Sequence, residues 1–182
     1  MYLLQPIRVC LGALLALLPA AAAMGADRPT PFDEGRLQIA LPDGWKVTQQ
    51  SIAGSDSIAG WESSDRKTSL YVHRLPTMSQ AADMRNSLQA TIEAMDQADH
   101  WLIQKIGDYR DITLGGLPAV YVSVEAELRA GERKTPFRFH FAMIGAARAF
   151  YLLQASNIQP VRQIREDEII RMMKSFQVLR EE

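Results

Sequence analysis

The chain has 182 residues, 47% of them hydrophobic, with 20 Lys+Arg against 21 Asp+Glu and a single cysteine. That length suits one domain, and the near-neutral charge excludes a strongly basic nucleic-acid binder or an acidic-tail protein. The hydrophobic share excludes a disordered chain, and one cysteine builds neither a disulfide framework nor a cysteine-rich metal site.

Residues 1–26 read as a secretory signal peptide. Arg8 lies in a short charged region, Val9 to Leu18 is apolar apart from Gly12, and Pro19 precedes the small residues Ala20 to Ala23. The apolar run is shorter than the ~20 residues a spanning helix needs, while Ala21-Ala22-Ala23 gives the small-x-small cleavage pattern. The cut is expected between Ala23 and Ala26. Cys10 precedes most of the apolar run, so it cannot become a lipidated first residue and leaves with the leader. Loss of Arg8 leaves 19 basic against 21 acidic residues, a net charge of −2. The expected destination is the bacterial periplasm, with secretion beyond it as the alternative. A thiol-free domain of that size must rest on its apolar core.

Residues 27–35, with Pro29 and Pro31, read as an extended arm ahead of a single domain over 36–179. Leu37, Ile39 and Leu41 alternate with polar or small neighbours as in a half-buried strand, and Pro42-Asp43-Gly44 is a turn. Trp45 and Val47 begin a second strand, and Ser51 to Ser57 reads as a loop. Two strands follow, Ile58 to Ser63 and Thr68 to Leu75, joined at Ser64-Asp65-Arg66-Lys67. After Pro76, Thr77 or Ser79 can cap a helix reaching about Ala98, with Gln80 completing a capping box. Its apolar stripe is Ala81, Met84, Leu88, Ile92 and Met95. Trp101 to Leu114 holds an irregular strand, and Gly115-Gly116 with Pro118 marks a turn.

The clearest β pattern is Val120, Val122, Val124 and Leu128 alternating with Tyr121, Ser123, Glu125 and Glu127. After a turn over residues 129–134, Phe137, Phe139, Phe141 and Met143 alternate with Arg138, His140 and Ala142. A third strand runs from Phe150 to Gln154, completing an antiparallel meander. Pro160 is expected in the first turn of a last helix, with Val161, Ile164, Ile169, Met172, Met173 and Phe176 on its apolar face and Asp167–Arg171 as an outward i,i+4 pair. The order predicts an α+β domain, an antiparallel β-sheet packed by helices. Apolar residues on both sides of the last strands point to a sheet covered on both faces.

The pairing of the hairpin about its turn sets Glu125 opposite Arg138 and Ser123 opposite His140. Ser123, His140 and Glu125 could form a hydrolytic cluster, but a nucleophilic serine needs an oriented base and oxyanion donors, and mid-strand N–H groups already serve the sheet. An opposite-charge cross-strand pair beside an ordinary histidine is the simpler reading. His73, His100 and His140 lack metal-ligand spacing, and Glu166-Asp167-Glu168 reads as a solvated helix face rather than a calcium loop. Gly115-Gly116 is too short to cradle phosphate, so no cofactor is expected. Arg129, Arg133 and Lys134 form a small basic hairpin tip, either a solvated turn or a contact for an acidic partner. Trp45, Trp61 and Trp101 are read as core. Candidate ligand or partner residues are therefore Tyr121, Glu125, Arg138, His140, Arg129, Arg133 and Lys134, with no catalytic or metal residue assigned.

Leu41-Pro42-Asp43-Gly44-Trp45, then Gly116-Leu117-Pro118-Ala119-Val120-Tyr121 entering a strand, then a closing helix ending in Ser175-Phe176, together with the element order, resemble the PsbP-like superfamily. That superfamily includes PsbP of photosystem II and bacterial periplasmic DcrB-type proteins. The resemblance spans about Phe32 to Leu179 and implies a central antiparallel sheet between helices, an α/β/α sandwich. It also implies an assembly or accessory role rather than catalysis, and it carries over no catalytic residue. The missing lipobox cysteine departs from the lipid-anchored bacterial members. The expectation is an exported accessory or binding protein that recognises another envelope protein or component, with no transmembrane span in the mature chain. The alternatives are a small-ligand binder with a pocket between sheet and helix, and a hydrolase using Ser123, His140 and Glu125.

Overall fold

The computed structural model describes residues 27–48, 57–75 and 84–180. The expected signal peptide, the loop over 51–56 and the capping residues Thr77, Ser79 and Gln80 lie outside the described residues.

Strands β1 (Arg28–Phe32), β2 (Leu37–Leu41) and β11 (Gln177–Val178) form a three-stranded antiparallel sheet in the order β1-β2-β11. The remaining strands are β3 (Lys46–Val47), β4 (Ser57–Glu62), β5 (Thr68–Leu75), β6 (Trp101–Ile106), β7 (Arg110–Leu114), β8 (Leu117–Ala130), β9 (Arg133–Gly145) and β10 (Phe150–Ile158). They form an eight-stranded sheet whose path is β3-β4-β5-β10-β9-β8-β6, with β7 also paired to β8. Helices α1 (Met84–Asp96) and α2 (Gln163–Lys174) complete the fold, which is α+β as its sequence pattern predicts.

Alternation along the strands separates two apolar clusters. On one side, Met84, Leu88 and Ile92 of α1 pack with Val120, Val122, Val124, Phe139, Phe141, Met143 and Leu152. Here Trp101 meets Phe137 and Phe139 edge-on at 5.2 and 5.1 Å between ring centroids, a geometry that aromatic quadrupoles favour. In the other cluster, Ile169, Met172 and Met173 of α2 pack with Leu37, Ile39, Leu70, Val72, Ala142, Ile144, Leu153 and Phe176. Strand β10 feeds both, sending Leu152 to the first and Tyr151, Leu153 and Ala155 to the second, as a period of two requires.

Several local expectations change. Residues 28–32, read as an arm, pair with β2 from Arg28↔Leu41 to Phe32↔Leu37, and the Phe32 ring packs edge-on to Trp61 at 5.1 Å. The turn between β8 and β9 is tighter than 129–134, because Ala130 already pairs with Arg133. The stretch over 101–114 is two strands, separated at Gly107–Tyr109.

Helix α2 begins at Gln163, after the N-cap residue Arg162, and Pro160 lies before it. Asp167 accepts a hydrogen bond from Gln163 Nε2 at 2.9 Å, while Arg171 pairs with Asp27 at 3.2 Å, so the expected 167–171 pair does not form. Nor is 166–168 a solvated face. Glu168 is buried and accepts bonds from Trp45 Nε1 at 3.1 Å and Arg165 Nη1 at 2.6 Å. Glu166 turns to the sheet. The exposed residue on the expected apolar stripe is instead Ile164, 51% exposed.

Candidate functional site

The register of β8 and β9 places Glu125 opposite Arg138 and Ser123 opposite His140, as the alternation predicts. Because side chains alternate, Tyr121, Ser123 and Glu125 share a face with Arg138 and His140, and α2 crosses that face to deliver Glu166. Arg138 is the hub. Its Nη1 donates to Glu166 Oε1 and Oε2 at 3.0 and 3.3 Å, and its Nη2 to Glu125 Oε1 at 3.3 Å. The hydrogen bond to Glu166, opposed in part by desolvation, raises the guanidinium pKa above its ordinary value.

His140 is 3% exposed. Its Nδ1 lies 2.7 Å from Tyr121 Oη, and its Nε2 points towards Glu166 Oε1 at 3.7 Å, beyond hydrogen-bond length. Burial pushes the imidazole pKa down to about 4, with Glu166 pulling the other way and Arg138 reinforcing the drop. The ring is therefore neutral at physiological pH, and its approach to Glu166 is not an ion pair. Placing the ring proton on Nε2, beside the carboxylate, leaves Nδ1 to accept from the tyrosine. Desolvation is also the main cause of a raised pKa at Tyr121, which keeps that hydroxyl a donor.

Ser123 has no hydrogen bond to His140. It lines a different, polar cleft of about 310 Å3 with Lys105, Asp108, Arg110 and Glu125, at the break between β6 and β7 where Gly107 N–H donates to Ser123 C=O at 2.8 Å. A side chain at Gly107 would run into the serine hydroxyl. A serine without its base, and a histidine committed to a tyrosine, do not constitute a nucleophilic site.

The basic tip lies far along the same hairpin. Arg129 and Lys134 pair with Glu127 at 3.2 and 4.0 Å, and Arg133 is exposed. His73 is buried in β5, and His100 rests against Trp101 at 5.9 Å. Among the described residues no group of three His, Cys, Asp or Glu could hold a metal ion, and no helix is long and apolar enough to cross a membrane. Trp45 and Trp61 are buried, and Trp101 is half-buried.

Sequence reasoning missed Glu166 as the third member of the Arg138 cluster, and although it raised a pocket between sheet and helix, it did not locate the cavity of about 260 Å3 between β7, β8 and α2. That cavity is lined by Arg110, Ile112, Leu114, Tyr121, Ile170, Met173 and Lys174. The alternation Arg110, Ile112, Leu114 and the helical spacing of Ile170, Met173 and Lys174 are the signals that could have found it.

No family model and no curated protein matches this sequence. Solved structures do match in shape. Cyanobacterial PsbP (CyanoP) from Synechocystis sp. PCC 6803 is similar at a TM-score of 0.61 and 12% identity, over 87% of this chain and 95% of that one. The Ran-binding protein Mog1p of Saccharomyces cerevisiae is similar at 0.57 and 12% identity, over 86% and 97%. LpqN of Mycobacterium tuberculosis, described as involved in cell envelope biogenesis, gives 0.52 and 15% identity over 83% and 84%. At these identities the likeness speaks for architecture alone, and on that ground the chain has the PsbP-like fold.

Proposed function

We propose that the protein is an exported, non-catalytic accessory or binding protein of the cell envelope, acting by recognition of another envelope protein or component. The observation that carries this reading is the state of His140. The histidine set opposite Ser123 is buried, neutral and bonded to Tyr121, so it offers that serine no base. The two ends of the large sheet support contact with a partner. Edge strands β3 and β6 expose Val47 (71%) and Ile106 (46%), and unpaired strand edges are ready sites for association. Two proteins of like fold are described by a binding partner or an envelope role, the Ran-binding Mog1p and LpqN. Export rests on residues 1–26 read as a cleavable leader, with the periplasm as destination.

The test is turnover on a broad panel of ester, amide and phosphoester substrates. No activity above background is expected; turnover that disappears in His140→Ala would overturn the proposal. Intact-mass measurement of protein from the periplasmic fraction should give a first residue between Met24 and Asp27. An uncleaved chain confined to the cytoplasm would contradict export. A second reading, binding of a small ligand between sheet and helix, is favoured by the cavity against α2.

A further inference from the structure

The cavity between β7, β8 and α2 has a chemistry of its own. Strand β7 presents Arg110, Ile112 and Leu114 on one face by alternation, and Arg110 pairs across the ladder with Tyr121. Helix α2 presents Ile170, Met173 and Lys174, spaced i, i+3 and i+4, to the same space. The walls are therefore aliphatic and thioether, and the polar groups are two cations and one phenol. The phenol is already engaged with His140 Nδ1. Neither Arg110 nor Lys174 has an ion pair or hydrogen bond among the described residues, whereas the nearby Arg171 is paired with Asp27 and Arg85 with Asp111.

Lys174 lies in the last turn of α2, whose carbonyl end favours a cation. Ser175 N–H approaches the carbonyls of Arg171, Met172 and Met173, and Ser175 Oγ donates to Met172 C=O at 2.7 Å. Of the carboxylates on this face, Glu166 and Glu125 are bonded to Arg138, and Arg110 also borders the polar cleft that Asp108 and Glu125 line.

We propose that this cavity binds a free medium-chain carboxylate, its chain between Ile112, Leu114, Ile170 and Met173 and its carboxylate at Arg110 and Lys174. The inference deepens the ligand-binding reading above and rests on it. Two unpaired cations beside an apolar hollow match an anion with an aliphatic body, and a guanidinium suits a carboxylate in bidentate geometry. Size sets the chain length. A hollow of about 260 Å3 is at the small end of ligand pockets, which suits a chain of octanoate's size better than a whole diacyl lipid.

The experiment titrates the full mature chain with octanoate by calorimetry and by methyl-resolved NMR. Saturable one-to-one binding is expected, with the largest shifts at Ile112, Leu114, Ile170 and Met173. The double substitution Arg110→Gln and Lys174→Gln, at exposed positions outside the core, should weaken binding by at least tenfold. Octanol, which keeps the chain and lacks the charge, should bind the wild type no better than octanoate binds that variant. Absence of saturation, shifts centred elsewhere, or affinity unchanged by the double substitution would each overturn the site. A protein partner captured in cells, with no octanoate bound in vitro, would remove this site and leave the recognition role standing.

Discussion

Lowering the pH from 7.5 to 5 should destabilise the protein through His140 in particular. The imidazole titrates near 6.5 in an unfolded chain and at about 4 in the fold, where it is 3% exposed with Tyr121, Glu166 and Arg138 as its polar or charged neighbours. Between those two values the unfolded state binds the proton and the folded state does not, so stability rises with pH across the window and falls as acid is added. The full difference is roughly 3 kcal/mol at 1.36 kcal/mol per unit, and about 2 kcal/mol of it is already lost by pH 5. Urea unfolding at pH 7.5, 6 and 5, on the wild type and on His140→Gln, isolates the effect because every other titrating group is common to both. The wild type should lose about 2 kcal/mol more than the variant over that range. Parallel losses in the two proteins would refute a buried, neutral His140.

Glu168→Ala should cost about 2–3 kcal/mol in chemical denaturation, since it strands Trp45 Nε1 at a buried position and leaves Arg165 with Asp65 alone of its two carboxylate partners; Glu168→Gln, which keeps an acceptor, should cost distinctly less. Gly115→Ala should destabilise by roughly 3 kcal/mol or more, because Gly115 has φ +56° and a Cβ there would collide with the Phe176 carbonyl. Gly116→Ala, at φ +82° but facing open space, should cost only about 1 kcal/mol. A thermal-denaturation series in which the two glycines respond alike would contradict the close approach of this turn to the end of α2.

The meander was legible because its alternation is strict. Valines at 120, 122 and 124 and phenylalanines at 137, 139 and 141 leave one in-face register, and a slip of one residue would turn the whole set to the wrong side. The pair Glu125–Arg138 followed from that register. The start of α2 was not legible, because Arg162 at the N-cap supplies no side-chain cap and Pro160 offers a competing local signal. Glu168 was misread for a different reason. A carboxylate on a helix is expected outward, and its burial depends on an indole 123 residues away in sequence. Glu166 and the cavity share that cause, since both arise where α2 lies across strands that no local pattern ties to it. The likeness carried by Leu41–Trp45, Gly116–Tyr121 and Ser175–Phe176 led to the right fold because turns and helix ends mark the points where a chain changes direction.

The central claim, recognition in the envelope, is tested most directly by photo-crosslinking in cells. A benzophenone amino acid would replace Val47, Ile106 or Ile164, the exposed apolar positions on β3, β6 and α2. At one edge strand at least, the account predicts a discrete adduct with an envelope protein or component, formed only when the protein carries its leader. Illumination that yields no adduct from any of the three positions, or the same adducts from a leaderless chain held in the cytoplasm, would contradict it.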